Sequence, residues 1–468
     1  MMAPMQQLAA GWLAGELLDG MLTGFDQAAG LRVTGLSLDS RDTQPGDLFF
    51  ACAGYRQHGL AFVKQAAAAG AVLVLAEPTT DWPVQRIHAL AAELALPVIS
   101  APGLAAKVSA IAARYYAEPA SQMRMIGITG TNGKTSVSQY IASALPAGWK
   151  CAVVGTTGNG FPGELQPATH TTPDAVSAQA LLADLLQAGA RSVAMEVSSH
   201  ALHQQRVNSV PFHTAVFTNL SRDHLDYHGS MDAYAEAKSR LFRQPGLELA
   251  VVNTDDALGR QLSQELNGNT RLVACGRAHG THARSNEYIQ LTGSGIGDRG
   301  LDISLESSWG KGEIHSRLVG GFNADNLLLV LGVLLGWDVP LADALERLGH
   351  VPPVAGRMQC FGAEGQPLVV VDYAHTPDAL EQALRAAREH VSGRLICVFG
   401  CGGDRDKGKR PLMGALAEQL ADEIVITDDN RRHESSDAII GHIMEGIRDQ
   451  RAVRVIPDRA RAIRTAVQ

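Results

Sequence analysis

An α/β protein of three domains, with mostly parallel sheets, is predicted by three features of the sequence. Short β-rich runs alternate with helical stretches, which is the pattern of parallel sheets. A length of 468 residues suits about three domains at roughly 150 residues each. One of the runs passes through a glycine-rich turn directly into a helix, the local form of a phosphate loop.

Taken in order, the runs are 71–75, 125–129, 151–155, 193–197, 214–217, 250–252, 368–371, 395–399 and 423–427. Several end in polar or glycine-rich residues, and open α/β sheets place ligands at the carboxyl ends of their strands. Stretches containing Pro and Gly at 97–103 and 351–356 interrupt the pattern and divide the chain into domains 1–102, 103–353 and 354–468. The segment 274–312, rich in Gly, Ser and Thr, reads as meandering strands and loops. The stretch 327–337 is the longest apolar run, at 11 residues. It falls short of the ~20 needed to span a bilayer and is expected as a buried helix.

Composition narrows the partners. Apolar residues make up 46% and charged residues 19% of the chain, an ordinary globular balance that excludes a disordered protein. The net charge of −8 provides no basic field for nucleic acid or an anionic membrane, so small-molecule partners are expected, with neither nucleic acid nor membrane insertion. The first 22 residues carry no basic leader before their apolar residues, so a cytoplasmic protein without a signal peptide is expected. Six scattered cysteines with no CxxC pair are read as reduced packing residues.

The strongest local motif is Met125-Ile-Gly-Ile-Thr-Gly-Thr-Asn-Gly-Lys-Thr-Ser136. Backbone N–H groups across Gly130, Thr131, Asn132 and Gly133 would cradle phosphate oxygens, Lys134 adds a point charge, Thr135 can ligate Mg²⁺, and Ser136 continues the helix N-terminus. The strict phosphate-loop spacing fails because Ile128 stands where the first glycine belongs. Two later runs end in Glu196-Val-Ser-Ser-His200 and in Thr218-Asn-Leu-Ser-Arg-Asp-His-Leu-Asp-Tyr-His228. Glu196 and His224 are thereby expected beside the phosphates as Mg²⁺ ligands. Lys238 follows on an amphipathic helix, where a lone lysine usually reads as a solvated cation.

These segments, together with Gly321-Phe-Asn-Ala-Asp-Asn326, Gly356-Arg-Met358 and Asp372-Tyr-Ala-His-Thr-Pro-Asp378, resemble the Mur ligases in content, order and spacing, from about residue 36 to the end. Within the family the similarity is to the members that add meso-2,6-diaminopimelate to UDP-N-acetylmuramoyl-L-Ala-D-Glu in peptidoglycan synthesis. The resemblance implies a small α/β N-terminal domain for the uridine end, a central P-loop ATPase domain and a C-terminal Rossmann-like domain for the incoming amino acid. It further implies a monomer, ATP as co-substrate, and two Mg²⁺ ions. Thr135 and Glu196 would hold one ion; Glu196, His224 and a carbamylated Lys238 would hold the other, with Lys134, Lys238, His224 and Glu196 as the catalytic group. Asn323 and Asn326 would meet adenine, and Arg357 and Asp372 the phosphates and ribose.

For the nucleotide dipeptide the resemblance implies Ser40 and Arg41 at the uridine and diphosphate, and Thr171, Thr172, Ser198, Gln204 and Arg206 at the sugar and peptide. For the acceptor it implies Arg405, Asp429, Asn430 and Arg432, while His375 and Asp378 would orient the third domain or merely stabilise a turn. Arg431 stands where the family has proline, and a looser acceptor loop is expected from that loss. The family's chain also continues through a further strand, whereas 461–468 lies within an amphipathic helix. A third domain shortened by about 30 residues, with an incomplete acceptor site, is therefore expected. The alternatives are the same ligase taking L-lysine, a folylpolyglutamate-type synthetase, and a catalytically dead nucleotide-binding homologue.

Overall fold

The computed structural model describes residues 10–54, 57–94, 96–266, 268–277, 287–297, 300–362, 366–389, 391 and 393–468. The start of the expected leader-free segment (1–9) and parts of the expected meander (278–286 and 298–299) lie outside them. The first domain carries a four-stranded parallel sheet in the order Gly35–Ser37, Asp47–Ala51, Leu73–Ala76, Val98–Ser100. The two central strands are buried on both faces, as strands flanked by helices must be. The helix Leu104–Tyr115 sends Leu104, Val108, Ile111 and Ala112 into the same core, so chain beyond residue 102 completes it.

Among the described residues the central domain carries a ten-stranded sheet. At its middle the strand Arg124–Thr129 lies parallel between Phe212–Phe217 and Ser192–Glu196. The register sets Glu196 beside Ile128 and Phe217 beside Thr129, so three carboxyl ends open into one crevice. That is where an open α/β sheet binds its ligand. The expected meander is present as an antiparallel extension, Glu287–Gly297, Gly300–Ser307 and Gly310–Ser316. The expected buried helix runs over Phe322–Gly336 and is apolar all round, with Leu327, Leu328, Leu331, Leu334 and Leu335 at most 1% exposed. Burying each such leucine contributes about 1.5–3 kcal/mol.

Among the described residues the third domain has three parallel strands in the order Ile396–Phe399, Glu423–Ile426, Val453–Val455. The run 368–371 departs from the expected parallel pattern. Its strand Val369–Val371 pairs antiparallel with Gln359–Phe361, because the few residues between them are too short for a crossover connection. Among the described residues no helix is long and apolar enough to cross a membrane.

Candidate active site

Gly130 and Gly133 make the turn at the end of the central strand. Their φ values of +149° and +86° are open to glycine, and a Cβ on Gly130 would stand 1.9 Å from the Thr218 hydroxyl. The helix Lys134–Ala144 starts immediately after Gly133, presenting the free N–H groups of its first turn to the crevice. Lys134 folds back, its Nζ donating to the carbonyls of Gly130 and Thr131 at 2.9 Å each. Thr131 and Asn132 are held by the 218–229 loop, through Ser221 and Asn219, and Ser136 is buried beneath the turn.

Thr135 is the point of convergence. Its hydroxyl donates to Glu196 Oε2 at 3.0 Å and accepts from the Arg357 guanidinium, in the third domain, at 2.9 Å. Glu196 is fully buried, and its carboxylate also accepts from the N–H and hydroxyl of Thr156 at 2.8 and 3.1 Å. It lies across the end of the strand Cys151–Gly155, in space left open by Gly155. A Cβ there would come within 2.1 Å of Glu196 Oε1.

Lys238, read from its neighbours alone as a solvated cation, is instead 1% exposed. Its helix, Met231–Ser239, is capped by the Ser230 hydroxyl and brings Nζ to the Gly130 carbonyl at 2.7 Å and over the Tyr234 ring at 4.4 Å. Burial, reinforced by the charge of Lys134, holds its pKa well below the ordinary lysine value. His224 sits in left-handed backbone at φ 55°, and burial lowers its pKa to about 3 despite the neighbouring Asp223. The His200 and Tyr234 rings lie 4.8 and 6.0 Å from that of His224, and Tyr227 and His228 pack against those two rings. Among the described residues no three His, Cys, Asp or Glu side chains converge to hold a metal alone. A hydroxyl, a carboxylate and an imidazole beside a phosphate loop do fit Mg²⁺, which takes one or two carboxylates and completes its shell from substrate phosphates.

A cleft of about 250 Å³ opens from the loop toward the third domain, lined by Asn132, Gly133, Thr135, Ser136, Asn326, Arg357 and Asp372. Asn323 stands behind Asn326, accepting its amide at 3.0 Å. Asp372 accepts from the backbone N–H of Met358 at 2.9 Å, and burial raises its pKa. Asn253, Phe322, Tyr373 and Gln382 share the lining and escaped the sequence reading. Phe322 and Tyr373 fall within the motifs quoted above without having been assigned a role, and Asn253 is marked as the polar residue that ends a strand. His375 and Asp378 do more than stabilise a turn. Asp378 accepts from Asn132 across the domain seam at 2.8 Å, and His375 Nε2 lies 3.5 Å from Asp223.

The expected peptide-side residues form one network reaching Glu196. Thr172 donates to the Glu196 carbonyl at 2.8 Å and meets Ser198, Arg206 donates to the Thr172 carbonyl and to Gln204, and Thr171 meets Thr156. Ser40 and Arg41 make local contacts in the first domain, Ser40 with Gln65 at 3.0 Å and Arg41 with Asp39 at 2.9 Å. Arg405 is exposed, yet its charge helps depress the pKa of His200, after burial, His228 and Arg206, to about 4. Asp429 is exposed. The Asn430 carbonyl accepts from Gly403, and Arg432 donates to the Gly403 carbonyl at 2.7 Å. These bonds tether the loop that carries Arg431.

Comparison with known proteins agrees in all three domains. Residues 32–116 match the Mur ligase family, catalytic domain; 128–334 match the Mur ligase middle domain; and 356–468 match the Mur ligase, glutamate ligase domain. The chain is 51% identical to the UDP-N-acetylmuramoyl-L-alanyl-D-glutamate--2,6-diaminopimelate ligase of Alkalilimnicola ehrlichii, over 93% of this chain and 87% of that one. It is 50% identical to the protein of the same name from Pseudomonas aeruginosa, over 92% and 86%. A solved structure of a ligase with this name superposes with a TM-score of 0.69 at 34% identity, covering 97% of this chain and 90% of that one. The match to the third domain extends to residue 468. The chain belongs to the Mur ligase family.

Proposed function

We propose that this protein joins meso-2,6-diaminopimelate to the D-glutamyl γ-carboxylate of UDP-N-acetylmuramoyl-L-alanyl-D-glutamate, with cleavage of ATP to ADP and phosphate, in the cytoplasm. The observation that carries this reading is the convergence on Thr135, where the phosphate-loop helix, the strand-end carboxylate of Glu196 and the third-domain guanidinium of Arg357 meet within 3.0 Å. A site built this way holds a triphosphate between two domains while a third segment aims a carboxylate at it.

A carboxylate is a poor electrophile, so the γ-phosphoryl group is first transferred to the substrate's carboxylate oxygen, giving an acyl phosphate and ADP. The acceptor amine then attacks the carbonyl carbon, the C–N bond forms, phosphate leaves and the amine sheds a proton. Lys134, Arg357 and the N–H groups of the phosphate loop neutralise the triphosphate, and catalysis is chiefly positioning and charge stabilisation. Bound Mg²⁺ would neutralise charge on the transferring phosphoryl group. The residues that would hold two such ions are Thr135, Glu196, His224 and Lys238. Lys238 suits carbamylation because its pKa is strongly lowered. A neutral amine adds CO₂, losing one proton, and becomes a second carboxylate-like oxygen ligand beside Glu196.

Thr171, Thr172, Ser198, Gln204 and Arg206 would bind the peptide end, Ser40 and Arg41 the uridine end, Asn323 and Asn326 adenine, and Asp372 ribose. Arg405, Asp429, Asn430 and Arg432 would receive the amino acid. Phosphate release on mixing ATP, the nucleotide dipeptide and diaminopimelate tests the reading. Turnover is expected with diaminopimelate well above that with L-lysine. Tight binding of both nucleotides without phosphate release would instead identify a dead homologue.

A further inference from the structure

Asp223 has no place in the chemistry above, yet it is one of the most deeply buried carboxylates of the seam, its side chain 4% exposed. It precedes His224 in the loop between Phe212–Phe217 and the short helix Leu225–His228. One oxygen accepts from the His224 backbone N–H at 2.9 Å and lies 3.4 Å from the Lys409 ammonium; the other lies 3.4 Å from His224 Nε2 and 3.5 Å from His375 Nε2. Two of its partners belong to the third domain, while His224 belongs to the central one.

Lys409 poses the complementary problem. It opens the helix Lys409–Leu420, where a cation is disfavoured by the helix dipole, and its side chain is only 7% exposed. A buried ammonium in that position needs an anion. Among the described residues Asp223 is the carboxylate within ion-pair distance of it. The adjacent pair runs the other way: Arg222 in the central domain meets Asp406 in the third at 3.4 Å. Adjacent pairs of opposite sense select a single seating, because sliding one segment against the other brings like charges together.

We propose that Asp223 is a positioning residue that couples the seating of the third domain to the orientation of the His224 imidazole. With Lys409 and His375 in place, both carboxylate oxygens are fixed and one of them faces the His224 ring. When the third domain swings away, the carboxylate loses two of its three side-chain partners and no longer holds the ring. The proposal rests on the reading of His224 as a Mg²⁺ ligand. Carboxylates that orient a ligating histidine typically change metal affinity or activity by about 10–100-fold when removed.

The test compares Lys409→Met, Asp223→Asn and the double variant in full-length protein. The readouts are the Mg²⁺ dependence of ATP binding, solution scattering with and without MgATP, and kcat and KM. Lys409→Met, although it alters the other domain, is expected to raise the Mg²⁺ needed for half-maximal ATP binding by about 10-fold. It should also enlarge the radius of gyration with MgATP and lower kcat, leaving KM for the uridine nucleotide within about twofold. The double variant should be no worse than Asp223→Asn. Losses that multiply in the double variant, or an unchanged Mg²⁺ requirement in Lys409→Met, overturn the coupling. If Asp223→Asn does not fold, Lys409→Met alone decides through the Mg²⁺ readout, since methionine fills similar space. Absence of turnover in the unaltered protein would count against the ligase reading, while the binding and scattering comparison would still decide this one.

Discussion

Lys134 and Lys238 aim their terminal nitrogens at the same carbonyl oxygen, that of Gly130. Two ammonium groups crowded on one acceptor repel, and burial adds to the cost of charging both. Burial lowers the pKa of both lysines, and more strongly that of the more deeply enclosed Lys238. Lys238→Ala is therefore expected to abolish phosphate release, with partial recovery when small carboxylates are added; unchanged turnover would remove the carbamate from the account. The imidazoles nearby give a second expectation. Burial, the leading cause, lowers the pKa of His200 and His228 to about 4 and of His224 to about 3. Unfolded histidines take up protons near 6.5, so the unfolded state binds more protons below that pH. Stability contributed by these groups is present above about 6.5 and is lost as pH falls toward 4. Denaturant melts from pH 7 to pH 4.5 should show a falling midpoint, and a flat profile would mean that the histidines titrate freely. The Gly-Lys-Thr turn and the strand-end Glu196 were legible in sequence because their roles follow from residue type and position. The fate of Lys238 was not, since its own helix says nothing of the Gly130 carbonyl more than 100 residues earlier.

The helix Phe322–Gly336 shows how an element can be plain in sequence while its fit is not. Its uninterrupted apolar run marks it as buried, but periodicity could not say which face meets the sheet. Packing supplies the answer through two glycines. A Cβ on Gly332 would lie 2.6 Å from a Val251 methyl, and one on Gly336 would lie 2.4 Å from Leu249. Glycine within a helix ordinarily costs about 1 kcal/mol relative to alanine, so Gly332→Ala would stabilise a free helix. Here overpacking, at about 1–3 kcal/mol, outweighs that gain, and a net loss in thermal or denaturant stability is expected. A stabilised variant would show that the sheet gives way. Strands at 125–129, 151–155 and 423–427 were legible within one or two residues because fully buried β-rich runs leave little ambiguity. The hairpin strand Val369–Val371 was recognised as a strand, but its antiparallel partner was not, because pairing direction depends on the connection rather than on the run.

The whole molecule depends on one seam. Asn132 with Asp378, Thr135 with Arg357, and Asp223 with His375 and Lys409 all join the central domain to the third. None of these pairings could be read along the chain, because the partners stand between about 150 and 250 positions apart. Removing a contact at the mouth of the ATP cleft should weaken nucleotide binding more than it weakens the fold. Asp378→Ala is expected to raise KM for ATP about 5- to 10-fold, as loss of a hydrogen bond of about 1 kcal/mol or somewhat more would do. It should leave the melting temperature of the ligand-free protein nearly unchanged and diminish the stabilisation that added MgATP confers. Equal melting shifts with MgATP in both proteins would contradict this.

Gly155 carries a consequence of another kind. The carboxylate of Glu196 occupies the volume where any other amino acid would begin its side chain, so this position is closed to drift although it touches neither nucleotide nor amino acid in the scheme above. A lineage could vary many of the residues around the crevice and still find this one position held to glycine. The chemistry of the crevice therefore restricts the genetic freedom of a backbone that only makes room for it.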